Sequence, residues 1–271
     1  MMTVSEFFTQ AVAACALCVS TIAPAAADIA IGQFDPALPA ASPPWQIIQL
    51  EKHVPPTQFR SVNWDGVAAI EARAQRSMAL LGRPVSINLK STPVLCWRWR
   101  VDAVVTGADM ARRSGDDYAA RVYVALMLPP EALTLVDKAA LAVARSVYGA
   151  SVPDGAINYV WDNRYPVGAQ KPNAYTDRAR MVVRRSGNAD AGKWVSERVN
   201  VLDDAIAAFG SGNPRTVLVA IASDTDNTGE SARAGFADLH FVGRHERCWF
   251  EREPVSTEKA PVDVDVASRP G

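Results

Sequence analysis

An oxygen-rich loop at residues 224–229 is the segment whose residue types are best suited to ligand chemistry. Asp224, Asp226 and Thr228 stand at positions 1, 3 and 5 of a calcium-loop pattern, and a glycine stands at position 6. The pattern then fails, because Gly235 occupies the place of the closing bidentate carboxylate. We therefore predict a turn whose side chains cap backbone N–H groups. A calcium site at Asp224, Asp226 and Thr228 is the alternative.

Two adjacent acids, Asp116 and Asp117, precede a strand-like run that carries Arg121. Adjacent side chains leave opposite faces of an extended chain, so these two are not expected to form one catalytic dyad. In a hydrolase or lyase, one of them would instead act across space with Asp224 or Asp226.

A further set of side chains is predicted to line one polar sheet face that stacks a sugar ring and binds its hydroxyls or carboxylates. The alternative is a solvated face on which arginines and acids pair across strands. Together with Asp116 and Asp117, the predicted ligand-binding residues are Arg98, Arg100, Arg121, Tyr123, Trp161 and Arg184.

Familiar catalytic motifs are missing from the sequence. The three histidines, at positions 53, 240 and 245, do not have the spacing of a helical metal motif. Neither a nucleophile elbow nor a phosphate-binding glycine loop is present.

The first 27 residues are predicted to be a signal peptide. An apolar stretch from Ala11 to Ala23 is followed by Ala25 and Ala27, the small side chains that precede a cleavage site. Glu6 and the lack of early basic residues are atypical, and a buried N-terminal helix is the alternative. We expect a periplasmic or secreted protein.

Charge and length narrow the classes of partner. Residues 1–27 contain one acid and no base, so 244 residues remain, with 28 acidic and 28 basic side chains. This balance disfavours nucleic acid as a partner. No segment has the roughly 20 apolar residues of a membrane span.

Cys96 and Cys248 remain in the mature chain, either as a disulfide or as two separately buried thiols.

The hydrophobic pattern predicts an all-β fold, an antiparallel β-sandwich of the jelly-roll or galactose-binding-like type. In 94–101, Leu95, Trp97, Trp99 and Val101 share the apolar face. The predicted strands are Trp45–Leu50, Val67–Ala72, Val94–Val101, Tyr118–Leu126, Asn158–Trp161, Ala179–Arg185, Trp194–Val201, Thr216–Ala222, Phe236–Val242 and Arg247–Glu251.

One amphipathic helix is predicted at 131–148 within the sandwich domain, which spans 45–252. Leu133, Val136, Ala140, Val143 and Val147 are expected on its buried face. An extended lead-in covers 28–44, and a disordered tail covers 253–271.

Four motifs carry a family resemblance. They are the runs Pro93–Val101, Gly115–Val124, Asn158–Trp161 and Asp224–Gly229, and they occur in this order. Over roughly residues 45–242 the sequence resembles the bacterial DUF3047 family, which implies no particular chemistry. The run Ala234–Phe241 is also similar to the closing strand of galactose-binding-like sandwiches and carbohydrate-binding modules.

These observations favour a binding protein for a carbohydrate or other small polar ligand, with calcium as a possible structural ion. The main alternative is a glycan or cell-wall hydrolase or lyase that uses the acids at 116, 117, 224 and 226. A non-catalytic interaction module of the cell envelope is the third candidate.

Overall fold

Strands with one apolar face associate as two sheets, because each sheet must cover that face. The computed structural model describes residues 28–148, 152–210 and 212–250. The predicted signal peptide, and the predicted tail from residue 253, lie outside this range. Within it, a six-stranded sheet and a seven-stranded sheet enclose the main core, which confirms the predicted sandwich.

The first sheet has the order β11-β6-β13-β4-β3, and β1 pairs with β13. All of its pairs are antiparallel. Its strands are β1 (Ile29–Gly32), β3 (Gln58–Trp64), β4 (Val67–Gln75), β6 (Val94–Val101), β11 (Val195–Asn200) and β13 (Ser231–Val242).

The second sheet has the order β2-β5-β12-β7-β8-β10-β9. Its pairs are antiparallel except β8 and β10, which run parallel, so the prediction of a purely antiparallel sandwich needs this one correction. Its strands are β2 (Gln46–Ile48), β5 (Leu80–Asn88), β7 (Tyr118–Met127), β8 (Gly155–Asp162), β9 (Gln170–Pro172), β10 (Ala179–Ser186) and β12 (Arg215–Asp224).

Large aromatic side chains fill the space between the sheets. The ring centroids of Trp97 and Trp99 lie 5.3 Å apart in an edge-to-face arrangement. From the second sheet, Tyr159 packs on Trp97 at 5.5 Å, and Trp161 packs on Trp99 at 5.7 Å. All four are fully buried, and each contributes roughly 2–3 kcal/mol of hydrophobic free energy. The period-two pattern of β6 therefore predicts its core face correctly.

Residues 247–250 do not form the predicted final strand. They follow β13 as irregular chain and lie against the outer side of the first sheet, where a disulfide joins Cys248 to Cys96. Trp249 stacks on His240 at 4.1 Å. Of the two states left open for the cysteines, the structure has the disulfide.

Two helices connect strands. α1 (Leu135–Tyr148) links β7 to β8, and α2 (Val201–Phe209) links β11 to β12. The existence of α1 confirms the predicted helix, but the predicted buried face is wrong, because Val136 and Val143 are exposed. The helix instead buries Leu141. Ion pairs from Asp137 to Arg178 at 3.1 Å and from Arg145 to Asp154 at 2.8 Å fix this orientation.

On the outer face of the first sheet, three arginines surround the carboxylate of Glu71. The Glu71 side chain is 2% exposed and accepts hydrogen bonds from Arg60, Arg73 and Arg233 at 2.8, 3.0 and 2.6 Å. Burial would raise the pKa of Glu71, but the hydrogen bonds from these arginines lower it to about 2. Arg233 also covers the ring of Trp64 at 3.7 Å.

We predict that Glu71→Gln is destabilising at neutral pH and that its effect vanishes in acid. A carboxyl whose pKa falls from 4.5 to about 2 on folding stabilises the protein above pH 4.5, and this contribution disappears as pH falls towards 2. The expected loss at pH 7 is on the order of 2 kcal/mol. Urea unfolding followed by tryptophan fluorescence from pH 7 to pH 2.5 measures it, with Glu246→Gln as the exposed control. A difference that does not change with pH would contradict the assignment.

Candidate functional site

The candidate site lies on the outer face of the second sheet, where β12, β7 and β8 are neighbours. Ala220 of β12 pairs with Tyr123 of β7, which pairs in turn with Asn158 of β8. Ala222 lies beside Arg121 in the next outward-facing row. The two alanines are buried under an apolar cluster that includes Leu80 and Met78, and a cavity opens beside this cluster.

This space is a cavity of about 280 Å³. Most of the residues in its wall carry polar groups, and the others are Leu50, Val54, Met78 and Ala179. The polar residues in its wall are Glu51, Asp116, Arg121, Tyr123, Asn158, Asn173, Tyr175, Thr176, Asp224, Asp226 and Asn227.

A buried ion pair between Arg121 and Asp224 forms the base of the site. Each residue is 2% exposed. Arg121 Nε donates to Asp224 Oδ1 at 2.9 Å, and Arg121 Nη2 donates to Asp224 Oδ2 at 2.5 Å. The backbone N–H of Tyr118 also donates to Asp224 Oδ1 at 3.3 Å. Burial would lower the pKa of Arg121, but Asp116 and Asp224 raise it, so the guanidinium stays charged.

The remaining donors of Arg121 are also engaged. Nη1 donates to the Tyr123 hydroxyl at 3.1 Å, and Nη2 donates to the Asp116 carbonyl oxygen and, at 3.3 Å, to Asp116 Oδ1. Burial raises the pKa of Tyr123, so its phenol is protonated and can itself donate a hydrogen bond. Arg121 therefore orients its neighbours and offers no free nitrogen to a ligand.

Asp117 holds the loop that follows β12. It is fully buried and accepts hydrogen bonds from the backbone N–H groups of Asn227 at 3.3 Å and Thr228 at 2.5 Å. Gly229 has a φ of 74° and donates to the Thr225 carbonyl at 3.0 Å, which closes the turn. The loop has the capped-turn structure that its composition predicts, with the cap supplied by a distant residue.

The rim of the cavity is a chain of hydrogen bonds. Asn173 Nδ2 donates to Asp116 Oδ2 at 2.9 Å. The Tyr175 hydroxyl donates to Asn227 Oδ1 at 2.9 Å, and Asn227 Nδ2 donates to Asp226 Oδ2 at 2.8 Å. Burial, and then repulsion by Asp117, raises the pKa of Asp226 above its usual value.

Asn158 differs from every other amide in the cavity wall. Its side chain is 2% exposed, and its Oδ1 is buried without a hydrogen-bond partner among the described residues. An unsatisfied buried polar atom costs roughly 1–3 kcal/mol, so a ligand that satisfies the Asn158 amide would recover free energy that the free protein lacks.

Two of the three predicted calcium ligands, Asp224 and Asp226, come close to each other and to Asp117. One carboxylate oxygen each from Asp117, Asp224 and Asp226 lie within 4.8 Å of one another. The oxygens of Asp117 and Asp224 already accept the hydrogen bonds described above, and the Thr228 hydroxyl oxygen accepts from the backbone N–H of Glu230 at 3.4 Å. A calcium ion would have to replace the guanidinium of Arg121, so the arrangement offers it no free set of oxygens. Calcium binding stays a prediction.

The predicted single ligand-binding face is divided between the two sheets. Asp116, Arg121 and Tyr123 line the cavity of the second sheet. Arg98 and Arg100 belong to β6, in the first sheet, and project away from its core face. Sequence alternation gives the direction of these side chains but not the sheet to which each strand belongs.

The other predicted ligand residues have structural partners. Arg98 pairs with Asp238, and Arg100 pairs with Asp65 at 2.5 Å and covers the ring of Trp64 at 4.2 Å.

Arg184 pairs with Glu197 at 3.3 Å and so connects the edges of the two sheets. Trp161 is a core residue whose Nε1 donates to the Gly187 carbonyl at 3.0 Å.

Among the site residues that the sequence prediction missed are Asn158, Asn173 and Tyr175. Only Asn158 left a signal, because a polar amide lies at a face position of a strand that is otherwise apolar. Asn173 and Tyr175 lie in the connection between β9 and β10, and nothing local in the sequence indicates that this segment folds over the cavity.

A family model described as "Protein of unknown function (DUF3047)" matches residues 43–240. No curated protein matches the chain. In the described part of the chain, no helix has the length and apolar character needed to cross a membrane.

Solved structures with remote similarity include glycoside hydrolases. The xyloglucanase domain of NopAA from Sinorhizobium fredii, in complex with cellobiose, has a TM-score of 0.36 and 10% identity over 74% of this chain and 93% of that chain. Endoglucanase 3 of Trichoderma harzianum, from family GH12, has a TM-score of 0.34 and 7% identity over 68% of this chain and 80% of that chain. The family 12 xyloglucanase of Bacillus licheniformis has a TM-score of 0.34 and 10% identity over 81% of this chain and 100% of that chain. Similarity at this level supports no conclusion about the site or its ligand.

We predict that Arg121→Met is strongly destabilising, because it leaves the Asp224 carboxylate buried without its partner. The expected loss is about 3–5 kcal/mol, measured by urea unfolding. The double variant Arg121→Met/Asp224→Leu removes both charges and should regain most of this loss. Arg215→Met, at an exposed position of β12, is the control and should change stability by less than about 0.5 kcal/mol. Equal effects of Arg121→Met and Arg215→Met would show that the pair is not needed for folding.

Proposed function

The chain belongs to the DUF3047 family, whose function is unknown, and we propose that it binds a small polyhydroxylated ligand, such as a carbohydrate, in the cavity of the second sheet. The side-chain amide of Asn158, which lines the cavity and has no hydrogen-bond partner among the described residues, is the observation that carries the proposal. A ligand hydroxyl can both donate to an amide and accept from it.

The composition of the wall supports this class of ligand. A sugar ring has apolar C–H faces and a polar edge, and the cavity sets Leu50, Val54 and Met78 against convergent polar groups. Tyr175 is half exposed at the rim, where its ring can stack on a sugar. The volume of about 280 Å³ is at the low end for ligand pockets, which favours one sugar unit or the terminal unit of a longer chain.

Export to the periplasm or the medium is part of the proposal. The disulfide between Cys96 and Cys248 supports it, because such bonds persist in oxidising compartments. The apolar stretch and small residues before position 28 support it from the sequence.

We predict that Asn158→Ala weakens ligand binding by about tenfold without loss of stability. The variant removes one buried acceptor from the complex, worth about 1 kcal/mol or somewhat more. In the free protein it removes an atom that has no partner, so the unfolding free energy should not fall. A screen of mono- and disaccharides by calorimetry identifies the ligand, and unfolding curves measure stability.

Gln170→Ala is the matched control, since Gln170 is an exposed amide on β9 of the same sheet. It should change neither quantity. Loss of stability in Asn158→Ala together with unchanged binding would show that Asn158 is structural, and the proposal would then lose its main support.

Cleavage of a glycan is a second candidate function, and one observation favours it. Burial and the neighbouring Asp117 raise the pKa of Asp226, as a general acid requires, and Asp116 lines the same cavity. In this mechanism Asp226 protonates the leaving oxygen, while Asp116 acts as the second carboxylate. Asp117 caps the loop and takes no part.

For this second function we predict that the wild-type protein releases reducing ends from a glycan. The Asp226→Asn variant should cleave at least about 100-fold more slowly and should still bind the glycan. Wild-type activity should fall as pH rises through the raised pKa of Asp226, because the acid must be protonated. A reducing-sugar assay across pH measures both effects. Binding without any turnover would leave the cavity as a binding site only.

A further inference from the structure

We propose that β3 (Gln58–Trp64) is a docking surface for a second copy of this chain, so that the first sheets of two molecules join edge to edge. The inference does not depend on the proposed carbohydrate function. It rests on an open strand edge, on the order of the side chains along that edge, and on apolar side chains beside it.

One side of the β3 backbone is open. β3 is a terminal strand of the first sheet and pairs with β4 through the two-residue turn Asp65–Gly66. A turn of this length makes Trp64 a hydrogen-bonded residue, and every second residue before it also bonds to β4. The backbone N–H and C=O groups of Phe59, Ser61 and Asn63 therefore point away from β4. Among the described residues, no hydrogen bond engages these outward groups.

The other terminal strands are shielded or short. On β11, the carbonyl oxygens of Ser196 and Arg198 accept hydrogen bonds from Arg185 Nη2 and Arg184 Nη2, both at 3.4 Å. β2 and β9 contain three residues each. β3 has seven residues, no proline and one charged side chain, Arg60, whose guanidinium is held by an ion pair on its own sheet. An edge of this length and composition is a template for pairing with another chain.

The order of residues along β3 suits an antiparallel copy of the same strand. With a two-fold axis at Ser61, Phe59 lies opposite Asn63 of the second copy, and Ser61 lies opposite its own counterpart. Each of these pairs can exchange two backbone hydrogen bonds, because their outward groups face one another. On the outer face Arg60 lies opposite Val62 of the second copy, so like charges do not meet directly across the interface.

Apolar side chains on the same side of the sandwich favour a second copy over a single extended peptide. β4 packs against β12, and the strands outward from this contact are β3 in one sheet and β5 and β2 in the other. Ile47 of β2 pairs with the core residue Leu81 and yet is 50% exposed. Phe59 is partly buried against the same core. A peptide strand would cover β3 alone, whereas a second sandwich also covers Ile47 with apolar surface of its own.

The first test compares two substitutions at one position by sedimentation equilibrium of the purified protein. Val62→Lys places a positive charge opposite Arg60 of the second copy, and Val62→Glu places a negative charge there. Both variants lose the same packing on the outer face. We expect the wild type to form dimers and Val62→Lys to dissociate at least about tenfold more readily than Val62→Glu, because the two-fold axis repeats each charge pair.

A cross-link tests the register. Ser61→Cys brings two thiols together at the axis, where the Cα atoms of a hydrogen-bonded pair are about 5.5 Å apart, within the range of a disulfide. Gln58→Cys is the matched control at an exposed position of the same strand, and the register sets it about 20 Å from its counterpart. Under mild oxidation, Ser61→Cys should give a covalent dimer and Gln58→Cys should not.

Three results would overturn the proposal: a monomer at every concentration, equal dissociation constants for the two Val62 variants, or cross-linking through Gln58→Cys as efficient as through Ser61→Cys. Hydrogen exchange identifies a different occupant. If the amides of Phe59, Ser61 and Asn63 are protected in a monomeric protein, another segment of the chain covers β3, and the second copy does not. None of these results bears on sugar binding in the cavity of the second sheet.

Discussion

A charge inside a protein must be paired, and the pairing of Arg121 with Asp224 determines most of what the second sheet can do. Removing both charges from water costs several kcal/mol per ion, and the cost is offset only when the remaining lone pairs and N–H groups are also satisfied. Here the backbone of Tyr118, the Asp116 carbonyl and the Tyr123 hydroxyl complete the set. The same bonds engage each guanidinium nitrogen of Arg121, so a ligand interacts mainly with the side chains around the pair.

The two outer faces use one device with opposite results. On the first sheet Glu71 is surrounded by three arginines, and Arg100 and Arg233 cover the ring of Trp64, so large side chains close that part of the face. Arg233 also borders a cavity of about 540 Å³ at the first sheet. On the second sheet the pair of Arg121 and Asp224 lines the smaller cavity of about 280 Å³, and this cavity is the candidate site because it gathers the acids of two distant segments.

Local pattern predicts the faces of the strands well, and it fails where partners are distant in sequence. Alternation in β6 separates Trp97 and Trp99 from Arg98 and Arg100 correctly. The next strand, β7, lies in the opposite sheet, so Arg121 cannot share a face with Arg98. Nothing in the period of either strand encodes this, because sheet membership depends on long-range pairing. The same reason explains the parallel β8–β10 pair and the rotation of α1, which ion pairs to residues outside the helix fix.

The loop at 224–229 combines a calcium-like spacing with the structure of a capped turn. Asp224 ends β12 and turns towards Arg121, and Asp117 from another segment caps the backbone at 227 and 228. A tight turn capped in this way places alternate side chains on one side, which reproduces the 1, 3, 5 spacing of a calcium loop. Asp224 is held in the ion pair with Arg121, and Asp226 is the second acid that the loop places in the cavity wall. The turn therefore serves the site by presenting a carboxylate that is not part of the Arg121–Asp224 pair.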